Sequence, residues 1–158
     1  MDISVFWHEP ITMKDGSSDN MTYTIEGIDR FDEVSGVYMF CRKYKNKLIP
    51  LYIGKALNID SRIKQQLNAN RLMNAIENAS AGERMLVIGE FRGKPGQQRE
   101  KCIRMVEKAL IGHALAEGYV LINLLGTKTP HHKMSFTGNS LMKEFTGSTM
   151  YIKRRGNT

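Results

Sequence analysis

The chain has 158 residues, 41% of them hydrophobic and 25% charged, with a formal charge of +7, so it has the length of one domain with a real core. It has no apolar run of about eighteen residues and no basic start ahead of an apolar block, which indicates neither a membrane span nor a secretory signal and makes a cytoplasmic protein the expectation. Cys41 and Cys102 are too few for a disulfide scaffold and too far apart in sequence for a zinc ligand pair, so two reduced thiols are expected.

Residues 1–34 read as an extension. Ile3, Val5 and Trp7 alternate with Ser4, Phe6 and His8, and Met21 to Ile25 is a second strand candidate beyond the polar loop Lys14 to Asn20, which together predict a small hairpin. Asp29, Asp32 and Glu33 follow as an acidic turn, placed either to cover a basic cleft or simply to sit in solvent. Ser35–Cys41 and Lys47–Ile53 are rich in β-branched and aromatic residues and flank a polar turn, the pattern of two antiparallel strands. Pro50 places the second of them at a sheet edge.

Asn58 is a helix N-cap candidate, and Ile59, Ile63 and Leu67 recur at helical spacing, leaving Arg62 off the apolar face. Leu72, Met73, Ala75, Ile76 and Ala79 predict a second helix that stops near Gly82. Arg84 to Phe91 reads as a buried third strand, and Gly93-Lys94-Pro95-Gly96 as a turn. The Gly-Lys pair there is not a phosphate loop, because the spacing is wrong and Pro95 stands where a hydroxyl should hold magnesium. Gln97 to Glu117 is helical, with Ile103, Val106, Leu110 and Ala114 as its inner stripe and Gly118 as its stop. Glu107 lies at the margin of that stripe, where a carboxylate must be paired or metal-bound, or else become neutral. Arg104 and Lys108 are its nearby bases in sequence.

Tyr119 to Leu125 is apolar apart from Asn123, an amide that either caps and turns the chain or serves a site. From Gly126 to Thr158 the sequence reads as a basic, partly flexible tail in which Phe136, Phe145 and Tyr151 are interspersed, a composition that suits contact with a phosphate backbone. His131-His132 lacks a third ligand type and is not taken as a metal site. Residues 1–34 carry eight acids and two bases, residues 35–125 fifteen bases and seven acids, and residues 126–158 six bases and one acid, giving −6, +8 and +5. A basic body with a basic tail is the footprint of a protein that neutralises phosphates, although solvated lysines alone account for the same count.

Gly36-Val37-Tyr38 and Tyr52-Ile53-Gly54, with Lys55 three residues and Arg62 ten residues after the second tyrosine, and with Glu107 and Asn123 in order beyond, resemble the signature of the GIY-YIG nuclease superfamily. The resemblance covers residues 35–125. It implies an α+β domain, a small three-stranded antiparallel sheet flanked by helices, between the N-terminal β extension and the basic tail. It also implies an endonuclease that hydrolyses phosphodiester bonds, in DNA rather than RNA by family precedent, with one Mg²⁺ or Mn²⁺ ion. Glu107 would hold the metal; Tyr38, Tyr52, Lys55, Arg62 and Asn123 would be catalytic. Tyr38 would be the general base, which at neutral pH requires a cation to lower a phenol pKa of about 10, and Lys55 is the candidate. Arg62 would grip the phosphate as charge builds, its planar fork suiting it better than lysine. Lys64, Gln66, Lys128, Lys133, Arg154 and Arg155 are candidate nucleic-acid contacts. Two departures stand out: Val37 replaces the family's isoleucine, and Gln66 stands one turn after the arginine where many members have histidine or tyrosine. The alternative is a non-catalytic nucleic-acid-binding module on the same fold.

Overall fold

The computed structural model describes residues 1–124 and 131–153. The chain begins with β1 (Ser4–Trp7) and β2 (Ile11–Thr12), followed by β3 (Lys14–Asp15) and β4 (Tyr23–Thr24), which pair with each other. The long hairpin of β5 (Gly36–Tyr44) and β6 (Lys47–Ala56) leads into α1 (Ile59–Leu67) and α2 (Asn70–Glu77), then β7 (Glu83–Arg92) and α3 (Arg99–Ala116). A smaller hairpin ends the described chain: β8 (His131–Ser135) and β9 (Thr149–Lys153), with α4 (Ser140–Thr146) between them. The fold is α+β. No helix among the described residues is long and apolar enough to cross a membrane.

The central sheet has the order β1-β7-β5-β6, and β2 also pairs with β7, all antiparallel. It therefore has five strands where the sequence predicts three. The extra two come from the N-terminal extension, which does not form the predicted hairpin between residues 3–7 and 21–25. β1 runs along Gly89–Arg92 and β2 along Met85–Leu86, so the open edge of an apolar ten-residue strand is covered. The tail prediction also changes, since residues 131–153 fold as the β8–α4–β9 unit with β9 against α3.

Each face of the sheet buries a helical layer. On one face Tyr38, Phe40, Leu86 and Ile88 meet Ile59, Ile63 and Leu67 of α1 and Met73 and Ile76 of α2, joined by Met13, Ile25, Ile28 and Phe31 from the extension. On the other, Ile53 and Met39 meet Leu110, Ile111 and Ala114 of α3 and Leu121. Full burial of such a side chain is worth about 1.5–3 kcal/mol, so the extension is a structural part of the core. Asn58 caps α1 as its sequence position predicts, its side chain accepting from the Ser61 amide at 3.3 Å.

Candidate functional site

Strand alternation decides which residues of β6 share a face. Tyr52 and Gly54 point to the α1 side and Ile53 and Lys55 to the α3 side, and the two helical layers meet beyond the end of β6. A cleft of about 620 Å³ opens there, lined by Lys55, Arg62, Ser61 and Gln65 from the β6–α1 side and by Glu100 and Ile103 of α3. Glu107 lies one turn further along the same inner face of α3, and its Oε1 is 3.5 Å from Lys55 Nζ. The carboxylate is paired with Lys55 from β6, not with Arg104 or Lys108, which are exposed.

Tyr38 stands opposite Gly54 across the hairpin. A Cβ on Gly54 would fall 2.4 Å from the Tyr38 hydroxyl, so the glycine is required for the phenol to lie across β6. A Cβ on Gly36 would likewise meet the Gly89 carbonyl oxygen at 1.9 Å. The Tyr38 ring is 0% exposed and packs 6.3 Å, centroid to centroid, from the half-buried Tyr52. Gln66, itself buried, donates from Nε2 to the Tyr38 hydroxyl at 2.9 Å. Burial raises the Tyr38 pKa, Tyr52 adds to the rise, and Gln66 and the neighbouring Arg62 guanidinium oppose it. The cation beside this phenol is thus Arg62 and not the expected Lys55, whose ammonium is committed to Glu107.

Arg62 is half-buried, with Nη1 donating to Gln65 Oε1 at 2.7 Å and Nε buried without a hydrogen-bond partner among the described residues. Both polar atoms of Asn123 bond the main chain of one residue: its Oδ1 accepts from the Ile53 amide at 2.9 Å and its Nδ2 donates to the Ile53 carbonyl at 2.7 Å. It takes the place of a further strand on the β6 edge and holds Ile53, and with it Tyr52 and Gly54, in place. That makes Asn123 a positioning residue.

The candidate phosphate contacts separate. Gln66 belongs to the core, so it is not a surface contact. Lys64 sits 2.9 Å from Asp60, and Asp60, Asp29 and Asp32 together hold its pKa up, surroundings that disfavour a polyanion. The acidic turn lies against α1, where Asp32 Oδ1 accepts from Asn58 Nδ2 at 2.9 Å. Lys133 is exposed on β8, while Lys128, Arg154 and Arg155 lie outside the described residues.

Sequence reasoning passed over Arg84, which is buried at 9% exposure without a carboxylate partner. Its five N–H groups meet the carbonyls of Ile76, Glu77, Ala79, Ser80 and Gly82 at 2.9–3.4 Å, closing the C-terminal end of α2.

Among the described residues no three His, Cys, Asp or Glu side chains gather to hold a metal. Glu107 is a lone carboxylate, 19% exposed at its side chain, whose only ion-pair partner among the described residues is Lys55. Such a donor fits a hard cation that keeps most of its water. Comparison of the chain with family models, with curated proteins and with solved structures finds no match.

Proposed function

We propose that this protein is a divalent-metal-dependent endonuclease of the GIY-YIG type, acting on DNA in preference to RNA. The observation that carries the reading is the meeting of Lys55 and Arg62, from β6 and α1, in one cleft beside Glu107 of α3. A transferring phosphoryl group needs positive charge on its oxygens, and a cleft holding a guanidinium and an ammonium supplies it. Arg62 forms bidentate contacts to the phosphate from the wall of the cleft that it lines. Glu107 would hold the Mg²⁺ or Mn²⁺ ion, which when bound would polarise a phosphoryl oxygen and steady the leaving oxygen. Lys55, paired with Glu107 in the structure, would be the second cation available to the phosphate.

Tyr52, the more exposed of the two phenols, orients water or phosphate, while Tyr38 supports it from within the core. The general-base role that the resemblance implies for Tyr38 is disfavoured because burial raises its pKa. The same burial, with Lys55 already neutralising Glu107, favours a second reading, a non-catalytic nucleic-acid-binding module.

The two readings separate on incubating the purified protein with duplex, branched and single-stranded DNA and RNA in Mg²⁺, Mn²⁺ or chelator. The nuclease reading expects cleavage that needs the metal and is lost in Glu107→Gln while binding is kept. Wild-type protein that binds and never cuts establishes the module instead.

A further inference from the structure

The far end of the β5–β6 hairpin carries charge that the cleft does not use. Residues 42–48 read Arg-Lys-Tyr-Lys-Asn-Lys-Leu, four bases and no acid. The turn between the strands has only two residues, Lys45 and Asn46, both with positive φ (49° and 61°), the backbone of a tight hairpin whose twist matches its strands. Lys43, Lys45 and Lys47 are all exposed, and none of them forms an ion pair among the described residues. The acid nearest in register is Glu83, opposite Lys43, and it accepts instead from Thr12 Oγ1 at 3.2 Å.

One aromatic ring organises the tip. Tyr44 is 45% exposed, with the Arg42 guanidinium 5.5 Å and the Lys45 ammonium 5.4 Å from its ring centroid. Arg42 is fixed in turn by donating to the Ala81 carbonyl at 2.8 Å. Cations held near one another on a short turn repel, and a polyanion relieves that repulsion while releasing its own counterions.

We propose that the β5–β6 tip is a second nucleic-acid contact, a sequence-independent clamp on the phosphate backbone, separate from the cleft. This rests on the nuclease reading and adds to it the substrate's minimum length. Lys47 and Lys55 stand at opposite ends of β6, eight residues apart, which at strand rise is about 25 Å. A duplex passing outside the segment of Asn123, which bonds the middle of the β6 edge, would span from one end of the strand to the other. At about 3.4 Å per nucleotide the tip meets phosphates roughly seven or eight positions from the one in the cleft.

The test compares wild type with Lys43→Gln/Lys45→Gln/Lys47→Gln, using a catalytically silent Glu107→Gln background, a 20-base-pair duplex, a 6-base-pair duplex and polyglutamate as probes across a salt series. These side chains are exposed, so the triple variant keeps its thermal unfolding midpoint. The clamp expects ~10- to 100-fold weaker binding of the long duplex and a salt dependence shallower by about 3 in log–log slope, with the short duplex bound equally by both proteins. Equal affinity and equal slope on the long duplex overturn the clamp and leave the nuclease reading standing. Failure of wild type to bind any nucleic acid overturns both, and polyglutamate bound as tightly as the duplex overturns the choice of nucleic acid as the ligand of the tip.

Discussion

Tyr38 shows how one buried hydroxyl can bind several elements at once. It lies over Gly54 of β6, accepts from Gln66 of α1 and sits beside Arg62. Tyr38→Phe strands the Gln66 amide in the core, at a cost of about 1–3 kcal/mol, whereas Tyr38→Phe/Gln66→Leu removes both polar partners and recovers most of it. Denaturant midpoints of wild type, Tyr38→Phe, Gln66→Leu and the double variant measure the coupling, and strictly additive losses would show that the hydrogen bond contributes nothing. Gln66 was within reach of the sequence, because it stands three residues after Ile63 and seven after Ile59, on their own stripe. A polar residue on an apolar stripe reads as surface unless its partner is seen, and Tyr38 is 28 residues away. Cys41 carries a different consequence. Burial pushes its thiol from an ordinary 9.0 up to about 12, so the fold favours the neutral form, and that contribution is complete below pH 9 and drains as pH rises towards 12. Wild type should lose stability over that interval more steeply than Cys41→Ala, in thermal melts taken at steps between about pH 8 and about pH 11. Parallel curves would place the thiolate in solvent.

Elements here are finished by polar side chains that apolar periodicity does not register. α1 and α3 were legible because their apolar residues recur at helical spacing, and the hairpin and β7 because their apolar, β-branched or aromatic runs are short and bounded by turn residues. Arg84 was not, since it opens an apolar run and its five carbonyl partners belong to the end of the preceding helix. A base just past a helix C-terminus was the available clue. Arg84→Met leaves those carbonyls short of donors and should cost ~3 kcal/mol or more. Arg84→Lys should recover only part, because an ammonium has three donors and no planar fork. Chemical unfolding measures both, and a lysine variant as stable as wild type would mean that charge alone suffices. Asn123 finishes the β6 edge in the same way. Asn123→Leu should release the Ile53 amide, speeding its hydrogen exchange and costing about 1–3 kcal/mol, while Ile88 in the sheet interior keeps its protection. The site's convergence was less legible than its residues. Spacing named Lys55, Arg62 and Glu107, but only the packing of α3 across β6 pairs the first with the last and leaves Tyr38 to Arg62.

At the scale of the molecule the N-terminal segment departs furthest from its sequence reading. Its alternating residues read as a small hairpin of its own and its charge of −6 against a body of +8 drew the eye to an acidic turn, since local pattern gives no sign of strand pairing with a partner more than seventy residues away. In the fold Asp29 and Asp32 lie beside α1 while Asp2 pairs with Lys94 and Glu26 with Lys14, and the apolar residues complete the sheet and core. β1 and β2 occupy the edge of β7, and Met13, Ile25, Ile28 and Phe31 are each no more than 7% exposed. Deleting residues 1–34 would remove the burial of four apolar side chains, worth about 1.5–3 kcal/mol each, expose the core residues they cover, and uncover a long apolar strand edge of the kind that templates association. The sum of ~6–12 kcal/mol is comparable with the whole stability of an ordinary domain, about 5–15 kcal/mol. The truncated chain should therefore fail to unfold cooperatively and should aggregate, as sedimentation and thermal melts would register. Removal of residues 125–158 should instead leave a cooperative transition, because β8 and β9 pair with each other outside the central sheet. A soluble, cooperatively folded chain lacking residues 1–34 would make the segment an appendage after all.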